Sequence, residues 1–386
     1  MSDPNEPAPR PRFTPLIERL PSTTPFVGPE TQERVRGRPF IARLGANEHG
    51  FGPSAATRAA LAAAAGQAWM YGDPEGFALR QALAERLGAP RERILLGEGI
   101  DGLLGLACRL MLREGDRAAA PRGGYPTFGY HVAGFGGRLE TVPYLAAEPG
   151  APDRADPIGL ANRAAETGAR LLYLANPDNP MGGVWPAEAV RAMIAATPDD
   201  CLILLDEAYL ETAPEGSAPP LSPQPPNLLR LRTFSKAYGL AGLRIGYAIG
   251  APRVIEAFQK IRNHFGVGRL SQIGALAALA DEDGLAQARR SIAASRERIT
   301  RIAAEAGLAA LPSAANFVAI DCGRGGVFAR AVLKTLIEAD VFVRAPGAPP
   351  LDRCVRVSCG PEVEMDRFAA ALPEALAAAE RGAESA

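Results

Sequence analysis

Apolar positions along this chain follow two alternating rhythms. From Pro53 onward, alanine-rich stretches with a helical repeat alternate with short, continuous apolar runs, the sign of an α/β chain. The helical repeats predict helices over 54–65, 78–87, 101–112, 187–196, 254–261, 271–279, 284–306 and 326–339. The apolar runs predict strands over 93–96, 171–174, 202–205, 227–233, 244–249, 316–320, 341–344 and 354–359. Ahead of this pattern stand Pro4, Pro7, Pro9, Pro11, Pro15, Pro21, Pro25 and Pro29. That density denies a regular helix across most of residues 1–40, which read as a partly ordered arm. A Pro- and Ser-rich stretch over 211–226 reads as a surface loop. Near residue 280 the character changes to long Ala/Arg helices followed by three short strands. The expected organisation is therefore the arm 1–40, a large domain 41–280 and a small C-terminal domain 281–386, with 41–52 able to join either.

Composition narrows the class. The 386 residues suffice for roughly two to three domains, and 47% apolar with 22% charged is ordinary for a globular chain. A net charge of −1 gives no reason to expect nucleic acid or an acidic membrane as partner. Cys108, Cys201, Cys322, Cys354 and Cys359 are scattered and form no CxxC pair, so neither a disulfide framework nor a zinc site is indicated. His49, His131 and His264 are too dispersed to suggest a metal site. The N-terminus lacks the basic and apolar segments of a secretory signal, and no run reaches the roughly 18 apolar residues of a membrane helix. A soluble, cytoplasmic protein is expected.

Charge usage then singles out one residue. Only Lys236, Lys260 and Lys334 are lysines, against 39 arginines among the 42 basic residues. Lys236 sits among small, hydroxyl-bearing and apolar neighbours in Thr233-Phe234-Ser235-Lys236-Ala237-Tyr238-Gly239. Arginine can replace lysine as a surface charge but not as a nucleophile, because its guanidinium keeps its proton. A desolvated amine can lose its proton and form a Schiff base with an aldehyde. Lys236 is the first candidate for covalent chemistry; a solvated glycine-rich loop is the plainer reading.

Three further motifs lie at predicted strand ends, where open α/β sheets place their ligands. Gly97-Glu98-Gly99-Ile100-Asp101-Gly102 follows the 93–96 strand and opens a helix. It matches GxGxxG, but the dinucleotide reading needs an acid ending a second strand, and Asp116 precedes the next apolar run instead. A phosphate site at the helix N-terminus, or a tight turn capped by Asp101, remains. Asn176-Pro177-Asp178-Asn179-Pro180-Met181-Gly182-Gly183 follows the 171–174 strand and reads as a turn or as a carrier of the Asn179 amide. Leu202-Ile203-Leu204-Leu205-Asp206-Glu207-Ala208-Tyr209 delivers a carboxylate to a strand end with a phenol three residues on; Asp206 as a simple helix cap is the alternative.

Taken together and in this order, the four motifs resemble the fold-type I aminotransferases that use pyridoxal 5′-phosphate, in the branch containing histidinol-phosphate aminotransferase. The resemblance runs from Arg43-Leu44-Gly45-Ala46-Asn47-Glu48 to Arg356-Val357-Ser358-Cys359-Gly360. It implies a large domain with a mostly parallel seven-stranded sheet between helices, and a smaller α+β domain from the C-terminal part and the N-terminal segment. It further implies a ping-pong transamination through an internal aldimine on Lys236, with an amino donor (an amino acid or a histidinol-phosphate-type amino phosphate) and a 2-oxo acid acceptor such as 2-oxoglutarate. By the same resemblance Asp206 would pair with the pyridine nitrogen, and Tyr209 and Asn179 would hold the ring's 3-oxygen. Arg244, Thr233, Ser235 and the amides of Gly99, Ile100 and Asp101 would cradle the phosphate. Phe128 would stack on the ring, and Tyr71 would reach across a homodimer interface. Arg356 would bind the substrate carboxylate, Arg344 a distal substrate group, and Asn47 would line the entrance.

Departures from the family pattern cluster around the substrate. Met181 stands where Thr is usual, Ile100-Asp101-Gly102 replaces Ser/Ala-Asp-Glu, and the segment from Asn47 to Ser54 reads Asn-Glu-His-Gly-Phe-Gly-Pro-Ser. His264-Phe265-Gly266-Val267 lacks the customary Asn. The alternatives are a decarboxylase of the threonine-phosphate type or another lyase on the same fold, a transaminase-like effector domain of a transcription regulator, and a nicotinamide dehydrogenase. The second would require a DNA-binding domain that the segment before Arg43 is too short to supply, and the third the missing acid.

Overall fold

The computed structural model describes residues 11–22, 27–146 and 153–384. Seven strands form one sheet in the order Ile94–Gly97, Gly246–Ile249, Leu228–Thr233, Leu202–Asp206, Leu171–Ala175, Arg117–Pro121, Arg138–Val142. Only Gly246–Ile249 runs against its neighbours. The three central strands from Leu171, Leu202 and Leu228 are buried almost throughout, and this explains why the first two read as near-continuous apolar runs rather than alternating ones, while the third buries Arg230 against Glu207. One core on the sheet packs Leu103, Leu104 and Phe128 against Tyr173 and Leu204. A second, on the other face, packs Leu160 and Met193 against Leu172 and Ile203.

Parallel strands bring their carboxyl ends to one edge. Asp206 ends its strand there, Asn176 follows Ala175, and Ser235 and Lys236 follow Thr233. The antiparallel strand starts at that edge, with Gly246 opposite both Gly97 and Thr233, so Arg244 arrives beside the Gly99 helix start. This topology gathers all four sequence motifs at one place.

Residues beyond 290 build another core. The strands Cys354–Ser358, Phe317–Asp321 and Ala309–Ala310 form an antiparallel sheet covered by helices Glu282–Glu305, Gly325–Glu338 and Glu362–Glu384. Ala42 and Leu44 are buried in this core, because Ala42–Arg43 pairs in parallel with Val341–Phe342.

Several expectations change. Two short helices, Pro15–Arg19 and Pro29–Arg36, lie in the arm whose prolines were expected to deny a regular helix across most of its length. Each proline stands in the first turn, where its missing N–H has no partner to lose. The second helix is tied down by Arg36 paired with Asp340 and by Phe40 packed on Phe342, ring centroids 5.1 Å apart. The parts of the arm at 1–10 and 23–26 lie outside the described residues. The 211–226 stretch is not wholly at the surface: Ser217 is buried, and the carbonyls of Pro219 and Pro220 accept from Arg230. No helix among the described residues is long and apolar enough to cross a membrane.

Candidate active site

Lys236 lies half-buried at the sheet edge, and its Nζ donates to the carbonyl of Asn47 at 3.0 Å. Burial lowers its pKa to about 8, and the guanidiniums of Arg356 and Arg244 push the same way. An amine poised this close to neutrality can both take and release a proton. Asp206 is buried, its two oxygens accepting from Tyr173 Oη at 2.8 Å and Ala208 N at 3.0 Å. Burial raises its pKa to about 6, held from rising further by those two donors. Tyr209 Oη accepts from Asn47 Nδ2 at 3.1 Å and Asn179 Nδ2 at 3.3 Å, which leaves its own proton free to donate. Burial raises that phenol to about 12, so it stays protonated.

A second group sits at the start of helix Gly99–Met111. Gly99 has φ 72°, and a Cβ there would stand 2.4 Å from Arg244 Nη2, so only glycine admits the guanidinium over the helix start. Arg244 Nη1 donates to Ser235 Oγ at 3.5 Å, and Arg244 faces Asp101 at 3.8 Å. Thr233 Oγ1 donates to Ser235 Oγ at 2.8 Å. The result is a cluster of hydroxyls, helix-start amides and one guanidinium, suited to a phosphate.

The third group comes from the C-terminal sheet. Arg356 is buried; Nη1 donates to Asn179 Oδ1 at 2.7 Å and Nη2 to the Gly45 carbonyl at 3.4 Å, while Nε has no partner among the described residues. Burial lowers its pKa. Arg344 pairs with Arg356 through a backbone bridge, and its side chain reaches the Val27 carbonyl. Burial and the nearby Arg356 depress Arg344 to about 10. Two cations held this close favour an anion between them.

Thus Lys236, Asp206, Tyr209, Asn179, Thr233, Ser235, Arg244, Gly99, Asp101 and Arg356 are brought together. Asn47 lies deeper than the entrance expected for it: it is buried with φ 54°, and Asn316 Nδ2 donates to its carbonyl at 3.0 Å. Phe128 is buried and stacks on Tyr173, centroids 4.9 Å apart and planes 16° apart. Tyr71 is 76% exposed and packs on Phe265, ring centroids 4.8 Å apart. Sequence reasoning missed Tyr173, Tyr125, Ser358 and Asn316. Tyr125 Oη donates to Asp101 at 2.6 Å, and Asn47 N donates to Ser358 Oγ at 2.9 Å. A lone phenol inside an apolar strand, as in Leu172-Tyr173-Leu174, signals a buried partner for its hydroxyl.

The family model for aminotransferase class I and II matches residues 41–372. The chain belongs to this family. Histidinol-phosphate aminotransferase 2 of Ralstonia nicotianae is 36% identical over 346 residues, 89% of this chain and 91% of the relative. The histidinol-phosphate aminotransferase of Roseiflexus castenholzii is 36% identical over 368 residues, 93% of this chain and 97% of the relative. The structure of histidinol-phosphate aminotransferase from Sinorhizobium meliloti in complex with pyridoxal-5′-phosphate superposes with TM-score 0.91 at 52% identity, covering 96% of this chain and 99% of that one.

The protein is a pyridoxal-phosphate-dependent aminotransferase, and these relatives favour transamination over the decarboxylase alternative. The donor set of the site fits that cofactor. A depressed amine faces the place for an aldehyde, a buried carboxylate the place for a pyridine nitrogen, and the Gly99 cradle the place for a phosphate.

Proposed function

We propose that this aminotransferase moves the amino group of a phosphorylated amino alcohol of the histidinol-phosphate type to a 2-oxo acid such as 2-oxoglutarate. The observation that carries the reading is Arg356, a buried guanidinium inside the site with a free Nε and a second arginine at its side. A planar fork of donors suits the phosphate of the donor and, in the other half-reaction, the carboxylate of the acceptor. The relatives named above are called histidinol-phosphate aminotransferases, which supports the same substrate class.

Bound pyridoxal phosphate supplies an aldehyde for the amine and a ring that accepts electrons from the substrate Cα. Lys236 binds the aldehyde and later carries the proton taken from Cα, a task suited to an amine near pKa 8. Asp206, fixed by Tyr173 and Ala208, holds a proton on the pyridine nitrogen. Tyr209 and Asn179 orient the 3-oxygen. Arg244, Ser235, Thr233 and the amides of Gly99, Ile100 and Asp101 would hold the phosphate, and Phe128, stacked on Tyr173, would contribute the aromatic wall on the cofactor ring. Arg344 meets the distal end of the substrate, and Asn47 sets the direction of the lysine amine.

Exposed Trp69, Tyr71 and Phe265 support a homodimer in which Tyr71 reaches the partner's cofactor phosphate. The C-terminal core, joined by residues 41–52, acts in this reading as a small domain that closes over substrate. The five described cysteines are all free and buried, in keeping with a reducing cytoplasm.

The test is transfer itself. Holoenzyme given histidinol phosphate and 2-oxoglutarate should form glutamate in step with donor consumed, and Arg356→Ala should lose this far more than any turnover of amines that carry no anion. Turnover confined to unphosphorylated amino acids, or equal losses for both classes, overturns the reading.

A further inference from the structure

A cavity of about 460 Å³ lies outside the catalytic pocket, on the seam between the sheet-edge loops and the C-terminal core. Its floor is a pair of cross-connections: Ala314 N donates to the Gly182 carbonyl and Thr212 Oγ1 to the Ala314 carbonyl, both at 2.8 Å. Two arginines line it. The guanidinium of Arg154 lies over the Trp185 ring, 4.7 Å from its centroid, and makes no side-chain hydrogen bond among the described residues. Arg296 comes from the long helix Glu282–Glu305; its Nη1 holds the carbonyls of Ser313 and Ala315, while its other nitrogens have no acceptor among the described residues. No carboxylate lines the cavity among the described residues.

Several other arginines are instead matched by an acid. Arg353 is held by Asp153 and Asp321 at 2.7 Å each, and Arg230 and Arg232 share Glu207. Two arginines lining one cavity without an acid leave a positive field that an anion would neutralise. The volume is several times that of one small ion, given about 30 Å³ for a water molecule. The remaining walls include Val184, Pro214 and Pro312, which suit an organic group rather than further hydration.

We propose that this cavity is a second anion site that binds a small phosphate monoester, its phosphate held between Arg154 and Arg296 and its organic part against the apolar wall. The proposal does not rest on the substrate assigned above. The site is also placed to influence catalysis: Gly182 lies three residues after Asn179, and Thr212 three after Tyr209. An occupant joining Arg154 to the helix of Arg296 would fix the seam on which both catalytic loops rest.

Titration calorimetry on the cofactor-loaded enzyme tests this, with glycerol 3-phosphate, inorganic phosphate and citrate as probes. The Arg356→Ala enzyme serves as background, so that anion binding in the catalytic pocket is suppressed. Glycerol 3-phosphate should bind there at one equivalent per chain and more tightly than inorganic phosphate. Adding Arg154→Gln should weaken it by at least about tenfold, the loss of one charge-assisted contact. Arg154→Gln alone should keep its cofactor and normal turnover, which separates lost binding from lost folding. Absence of phosphate binding in the Arg356→Ala background overturns the proposal, as does unchanged affinity in the added Arg154→Gln variant. Citrate binding more tightly than either phosphate overturns the assignment to a phosphate.

Discussion

Replacing Lys236 by Met should make the cofactor-free protein more stable at neutral pH. The amine titrates near 8 in the folded chain, against an ordinary 10.5. At roughly 1.4 kcal/mol per unit, keeping the proton on this amine in the folded state costs about 3 kcal/mol. Because the side chain is half-buried rather than sealed, solvent screening trims this to about 2 kcal/mol. Methionine fills a similar volume and carries no charge. The substitution gives up the bond to the Asn47 carbonyl, about 1 kcal/mol, although Asn316 still donates to that oxygen. A net gain of about 1–2 kcal/mol at pH 7 follows. The sign is set by the depressed pKa: the penalty is full below about pH 8, fades as pH rises towards 10.5, and is absent above it. Urea unfolding of cofactor-free wild type and Lys236→Met at pH 7 and 9.5 measures it, the difference at the higher pH falling to less than about half. A variant less stable than wild type at pH 7, or an equal gain at both values, would refute the reasoning.

Three other experiments have defined outcomes. Asp206→Asn should retain the cofactor yet slow turnover by on the order of a hundredfold or more, since a preorganised charge is lost; near-normal kcat sinks its assigned role. Arg230→Met should destabilise the fold by about 3 kcal/mol or more, because Glu207, itself buried, would keep only Arg232. Calorimetric melting reads this out, and an unchanged Tm contradicts it. Mixing Tyr71→Ala with Lys236→Ala under subunit exchange should restore activity above either variant alone, as one intact site then forms per hybrid dimer. No recovery would rule out a site shared between chains.

Two strand ends were legible because burial on both faces demands apolar runs, and each run stopped at a polar group with chemistry to offer, Asn176 or Asp206. Helix limits from periodicity fell within two residues throughout, and 187–196 coincided with Ala187–Ala196. Besides the two helices of the arm, three more escaped notice. Glu362–Glu384 contains Pro373, an interruption the helix absorbs, while Pro126–Gly134 and Pro157–Thr167 open on proline. The strand Arg138–Val142 was missed because it is an edge strand, half exposed, with little apolar content. The supports behind the site were hidden for another reason. Asn316 and Ser358 lie 269 and 311 residues from Asn47, and nothing local marks a residue whose only task is to hold a distant backbone.

Asn47 deserves a mechanical reading. Its oxygen restrains the Lys236 amine, its amide nitrogen supports Tyr209, and both Ser358 and Asn316 anchor it to the C-terminal sheet. One asparagine therefore gears the nucleophile to the opposite half of the molecule. Any displacement of that sheet would pull on the carbonyl that restrains the amine, so the readiness of the reactive nitrogen is tied to where the C-terminal sheet sits.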